Sequence, residues 1–253
     1  MEILARLESD EGGHVGAEDR ERVSAAIARG LRMLAPTPQD LNVELMDTDA
    51  GVLTAAGWPH LPELRVLEVA HAPAGFLRAV LLSAPEVTHV RISHDGDGFS
   101  TAEVGTWEGW PTGMTNLTID YAQGIARTLR PVRQLQRLCV SLSAGCEAAG
   151  AVSNMPDCLT DLTMCLWSNT DAITISGLLA LALANPRRLP DLAYLRIVVA
   201  GWITGRDDEE IAATVESALE AACAARAVHL VLVKAAVQPE DEADEEADAA
   251  AAA

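Results

Sequence analysis

Leu64-Arg65-Val66-Leu67-Glu68-Val69 is the stretch on which the reading of this chain turns. Apolar residues stand at its first, fourth and sixth positions, and the same phrase returns five times. The copies are Val87-Val90-Ile92, Met114-Leu117-Ile119, Leu135-Leu138-Val140, Leu159-Leu162-Met164 and Leu192-Leu195-Ile197. A weaker copy, Pro38-Leu41-Val43, precedes them, and Ala227-Leu230-Leu232 follows. From copy to copy the steps are 26, 23, 27, 21, 24, 33 and 35 residues. A short phrase recurring at such steps marks a repeat architecture. Within each copy the side chains alternate with period two, so Leu67 and Val69 point to one face and Val66 and Glu68 to the other.

Helical patterns fill the intervals, over residues 74–84, 122–132, 144–152, 173–185 and 207–225. An earlier helix is expected over 18–35, where Val23, Ile27, Leu31 and Leu34 recur every three or four positions before Pro36 and Pro38 stop it. Strand–helix alternation also suits a doubly wound sheet, but a β-α-β unit with a full crossover helix takes about 30 residues or more. Steps of 21 to 27 leave room only for a strand, two turns and a short helix. The expected fold is therefore α/β: a solenoid of parallel strands in sequence order, with helices on its convex side.

Aromatic residues make up only 4 % of the chain, so Leu, Val, Ile and Ala must fill the core. The formal charge is −19, and seven acids without a base lie between Glu240 and Asp248, ahead of the alanines 249–253. Residues 239–253 read as a disordered acidic tail, 1–17 as a loosely ordered start, and 18–238 as the repeat domain with its N-terminal helix. Nucleic acid is an unsuitable partner, because no Lys/Arg cluster is present to displace phosphate counterions. The sequence has neither an apolar leader nor a run of 18 apolar residues, so no membrane association is expected. An intracellular protein, cytoplasmic or nuclear, with reduced and mostly buried thiols is the expectation for its five cysteines.

Leu61-Pro62-Glu63-Leu64-Arg65-Val66-Leu67 and Leu189-Pro190-Asp191-Leu192-Ala193-Tyr194-Leu195 resemble irregular leucine-rich repeats, in particular the repeat half of fungal-type F-box proteins. The resemblance spans roughly residues 38–235. It implies a protein-binding solenoid and substrate recognition in a ubiquitin-ligase-type adaptor. Two features depart from the family. The Asn or Cys that regular repeats place after the strand is replaced by Ala72, Asp95, Ala122, Ser143, Trp167 and Ala200, and the F-box helices are missing.

A protein or peptide partner is expected on the outward strand positions, which form a concave face in such an array. The candidate contact residues are His89, Arg91, Asn116, Thr118, Arg137, Asp161, Tyr194 and Arg196, accompanied by Val66, Glu68, Cys139 and Thr163. No metal is expected: six residues separate Cys139 from Cys146 and Cys158 from Cys165, too many for a zinc knuckle. His94-Asp95-Gly96-Asp97-Gly98 lacks the further ligands of a calcium loop and reads as a turn. Trp58 and Trp110, each in a Gly-Trp-Pro triplet, read as packing residues; the connection 93–113 is long for a loop, and its role is left open by the sequence. No G-x-S-x-G, H-E-x-x-H or phosphate loop occurs, so neither a cofactor nor catalysis is expected. The rival readings are an enzyme on an open α/β sheet and a decayed, partnerless F-box relative.

Overall fold

A computed structural model describes residues 2–6, 29, 39–46, 59–70, 74–93, 110–122, 129, 132–142, 148–166, 169–200 and 206–235. Nine strands form one sheet: β1 (Glu2–Arg6), β2 (Asp40–Met46), β3 (Val66–Ala70), β4 (His89–Ser93), β5 (Asn116–Ala122), β6 (Arg137–Leu142), β7 (Asp161–Leu166), β8 (Tyr194–Ala200) and β9 (His229–Ala235). They lie side by side in chain order, and every pair is parallel. The described helices that join them are α1 (Ala74–Ser83), α2 (Ala148–Asn154), α3 (Asn169–Ala184) and α4 (Arg206–Ala225). The protein is thus α/β with helices between parallel strands, as the alternation of strand and helix patterns predicts. The sheet also reaches past the phrases at its start, since β1 pairs with β2 where no strand was expected.

The strand phrase fixes the register. Its fourth position forms one row across the sheet, Leu41, Leu67, Val90, Leu117, Leu138, Leu162, Leu195 and Leu230. Its sixth position forms the next, Val43, Val69, Ile92, Ile119, Val140, Met164, Ile197 and Leu232. From β2 to β8 both rows are buried. They share one cluster with Leu77, Val80 and Leu81 of α1, Ala151 and Val152 of α2, Ile175, Leu179 and Leu183 of α3, and Leu219 and Cys223 of α4. The helices therefore cover the face on which these rows lie. Trp110 joins the same cluster, in keeping with a packing role.

The first apolar position of the phrase lies just ahead of the strand rather than in it. Leu64, Val87, Met114, Leu159 and Leu192 each donate a backbone N–H to the carbonyl three residues back, at Leu61, Ala84, Pro111, Pro156 and Leu189. These are tight turns whose first and last side chains are both buried. Pro62 and Pro190 occupy the second turn position, where a fixed φ is already suitable. Just ahead of most strands, one carbonyl accepts two N–H groups from the next unit. Arg65 O takes those of Thr88 and His89, Thr88 O those of Thr115 and Asn116, and Gln136 O those of Thr160 and Asp161. The hydroxyls of Thr88, Thr115 and Thr160 bond the same carbonyls. Cross-unit bonding is thus present at the amino ends of the strands, although the Asn ladder of regular repeats is missing.

At the end of α4 the last phrase copy departs from expectation. Val228 N–H bonds Cys223 O at 2.9 Å and Ala227 N–H bonds Ala224 O at 3.2 Å, the paired closure of a Schellman motif. Ala227 is the left-handed residue, with φ 56°, and is exposed, while Val228 takes the buried position. Glycine is the usual residue in that conformation because it carries no Cβ. Ala227→Gly should therefore stabilise the protein by about 0.5–1 kcal/mol. A lower urea midpoint for the variant would contradict this account of the cap.

Helix α1 lies as read from the sequence, α2 ends two residues later than expected, and α3 starts earlier. Ala122, expected to open a helix, ends β5 instead. The expected helix over 18–35 and the one over 122–132 fall outside the described residues except at single positions. Trp58, Trp107, Cys146, residues 94–109 and the acidic tail fall outside them too. Among the described residues no helix is long and apolar enough to cross a membrane.

Candidate functional face

The face opposite the helices carries the other side chains of the same strands. One row runs Val66, His89, Asn116, Arg137, Asp161, Tyr194 and His229. The next runs Glu68, Arg91, Thr118, Cys139, Thr163, Arg196 and Val231. All eight contact residues expected from sequence lie in these two rows, brought together across five strands. None of the side chains in either row is buried: His89, Arg91, Arg137, Arg196 and His229 are exposed, and the rest are half-buried. A second helix layer would bury them, and among the described residues nothing covers them.

The face as a whole, with Asp120 one pleat beyond the two rows, differs in character from the chain. Over β3 to β8, Arg91, Arg137 and Arg196 stand among Glu68, Asp120 and Asp161. Acids and bases balance there, whereas the chain carries 37 acids against 18 bases. Arg137 Nε and Asp161 Oδ2 are 3.5 Å apart as register neighbours, and Asp161 also accepts the Thr160 hydroxyl at 2.8 Å. Arg137 is exposed and Asp161 partly so, and this ion pair adds about 0–1 kcal/mol and chiefly sets the orientation of the two side chains. Among the described residues Arg91 and Arg196 form no ion pair. Tyr194 and His229 stack at 5.6 Å between ring centroids, 28° from parallel, and end the first row in a flat aromatic step.

Four polar groups of this face were missed in the sequence reading. His229 occupies the outward position of the last phrase copy and was legible by the same offset as Tyr194. Asp120, Ser141 and Cys165 lie one pleat beyond the phrase, because the strands outrun the six residues that define it. The thiols also differ from expectation: among the described cysteines Cys223 alone is buried, while Cys139, Cys158 and Cys165 are half-buried. Burial raises the Cys223 and Cys158 thiols above their ordinary range. Among the described residues no three His, Cys, Asp or Glu side chains are placed to hold a metal ion.

A concavity of about 390 Å³ lies at the turn end of the sheet between Leu129, Arg133, Asn154, Asp157, Cys158 and Arg188. Its Arg188 is already committed. The guanidinium donates to Asp157 Oδ1 at 2.9 Å and to the Val152 and Ser153 carbonyls at 3.0 and 3.1 Å.

No protein-family model matches the chain, and no curated protein or solved structure matches it either.

Proposed function

We propose that this protein is a non-enzymatic protein-interaction module, a leucine-rich-repeat-like solenoid that binds a protein or peptide partner on its polar sheet face. The observation that carries this reading is the pair of rows from Val66 to His229 and from Glu68 to Val231, which no described residue covers. An extended face of mixed charge, with arginines and a stacked aromatic step, has the composition of a recognition surface. Strands in strict chain order also weigh against the rival α/β enzyme. Ligands of doubly wound sheets bind where the strand order reverses, and this sheet has no reversal. In this reading the helices form the convex side, and Arg91 and Arg196 are the charges that set partner choice. A place as the substrate-binding half of a ubiquitin-ligase adaptor rests on the resemblance of the repeat phrases alone.

The test is affinity capture with the full chain and with the double variant Arg91→Glu/Arg196→Glu, read by mass spectrometry. Both residues are exposed, so the variant should keep the melting temperature of the parent. One or a few proteins should be retained by the parent and lost from the variant. Ligase components among them would support the adaptor role. Identical captured sets would sink the proposal that this face recognises a partner.

A further inference from the structure

Cys139 and Cys165 are separated by a full repeat unit in sequence, yet they are neighbours on the open face. Cys139 of β6 is in register with Thr163 of β7, and Ser141 of β6 with Cys165 of β7. The two cysteines are thus diagonal, one pleat apart on adjacent strands and on the same face of the sheet. Both are half-buried on a face that no described helix covers, so a small reagent can reach them. The other described cysteines have no such partner. Cys223 is buried, and Cys158 Sγ bonds the backbone carbonyls of Arg133 and Leu135 at 2.9 and 3.2 Å.

We propose that Cys139 and Cys165 are a redox-active dithiol that closes to an intramolecular disulfide by exchange with a low-molecular-weight disulfide such as oxidised glutathione. In the first step the Cys165 thiolate attacks one sulfur of the reagent. A Cys165–glutathione bond forms, the reagent's S–S bond breaks, and one glutathione thiolate leaves. Cys139 then loses its proton and attacks the Cys165 sulfur, which expels the second glutathione as thiolate. Two protein thiols are oxidised, one disulfide is reduced to two thiols, and the two protons end on the released glutathiones.

The surroundings assign the order of attack. The Cys139 thiol donates to Cys165, and with the Ser141 hydroxyl and Arg196 it favours the Cys165 anion against the opposing effects of burial and Asp120. The Cys165 thiol is thereby lowered to about 6. Cys139, which gives the hydrogen bond, is raised by it, and further by burial and by the adjacent charges of Cys165 and Asp120. An ordinary thiol loses its reactive form as pH falls below about 8.5, and the lowered Cys165 thiol keeps more of its thiolate below that value. Closure would tie β6 to β7 in the middle of the face that carries Arg137 and Thr163.

The experiment uses the full-length chain in a Cys146→Ser background, held in oxidised glutathione at neutral pH under native conditions. Cleavage at Glu147, Asp157 and Asp161 then places Cys139, Cys158 and Cys165 on separate fragments. The expected product has lost two hydrogens and links the Cys139 and Cys165 fragments. With Cys139→Ser added, the reaction should stop with one glutathionyl group on Cys165. Iodoacetamide should modify Cys165 at least about tenfold faster than Cys158, and still do so near pH 6. Glutathionylation spread evenly over the cysteines, or mixed disulfides that never close in the Cys139-containing protein, would overturn the proposal. The fragment map of the Cys139-containing protein decides the matter even if the Cys139→Ser variant fails to fold.

Discussion

Leu117→Ala is expected to destabilise the protein by about 2–5 kcal/mol, the cost of removing a fully buried leucine from a packed row. Leu117 is 1 % exposed and lies between Val90 of β4 and Leu138 of β6. Its neighbour Thr118 points to the opposite face, between Arg91 and Cys139, and is half-buried. Thr118→Ala should stay within about 0.5 kcal/mol of the parent. The two residues are adjacent in the chain, so differences in local propensity and chain position are small. Their urea midpoints therefore report the alternation of the strand itself. Equal midpoints would mean that the faces are wrongly assigned and that the contact rows are not where the register puts them.

Arg226→Ala should cost about 1–3 kcal/mol, an unusually large effect for a partly exposed arginine. Its guanidinium reaches back from the end of α4 to the Leu183 and Asn185 carbonyls at 3.1 and 3.4 Å, and to Leu189 O at 3.0 Å. These carbonyls lie at the C-terminus of α3 and in the turn that follows it, where backbone acceptors lack helical donors and the helix end is partially negative. Arg188 does the same for the end of α2. Each arginine thus ties its own unit to the helix of the one before. Lysine at 226 offers one ammonium group in place of the fork and should restore only part of the loss. A midpoint for Arg226→Ala indistinguishable from the parent would show that water satisfies these carbonyls equally well.

Much of the architecture was legible because one residue pattern answers two constraints together. Leu67, Val90, Leu117, Leu138, Leu162 and Leu195 had to share a row if the strands were parallel and in chain order, and they do. Period-two alternation then delivered the outward residues, His89 to Arg196, without further information. What escaped depends on geometry between units. The segment Glu2–Arg6 carries no copy of the phrase, and only its pairing with β2 identifies it as a strand. Val228 displaced Ala227 from the buried position because the helix cap takes one residue in the left-handed region. The thiol contact needs both the register of β6 on β7 and the extra pleat beyond the phrase, neither of which a single strand reveals. The equal spacings around Cys146 and Cys158 pointed elsewhere: Cys158 is held by the turn carbonyls of the preceding unit.

The central claim, that the polar sheet face is the recognition surface, is tested most directly by site-specific photo-crosslinking. The crosslinking residue is placed at Thr163, at the centre of the polar rows, or at Leu82 or Leu181 on the helix side. The two leucines are 58 % and 72 % exposed, so accessibility does not favour the sheet face. The account predicts a discrete protein adduct from Thr163, lost when Arg91→Glu and Arg196→Glu are combined with it, and none from Leu82 or Leu181. An adduct from the helix positions alone, or one from Thr163 that survives both charge reversals, would contradict it.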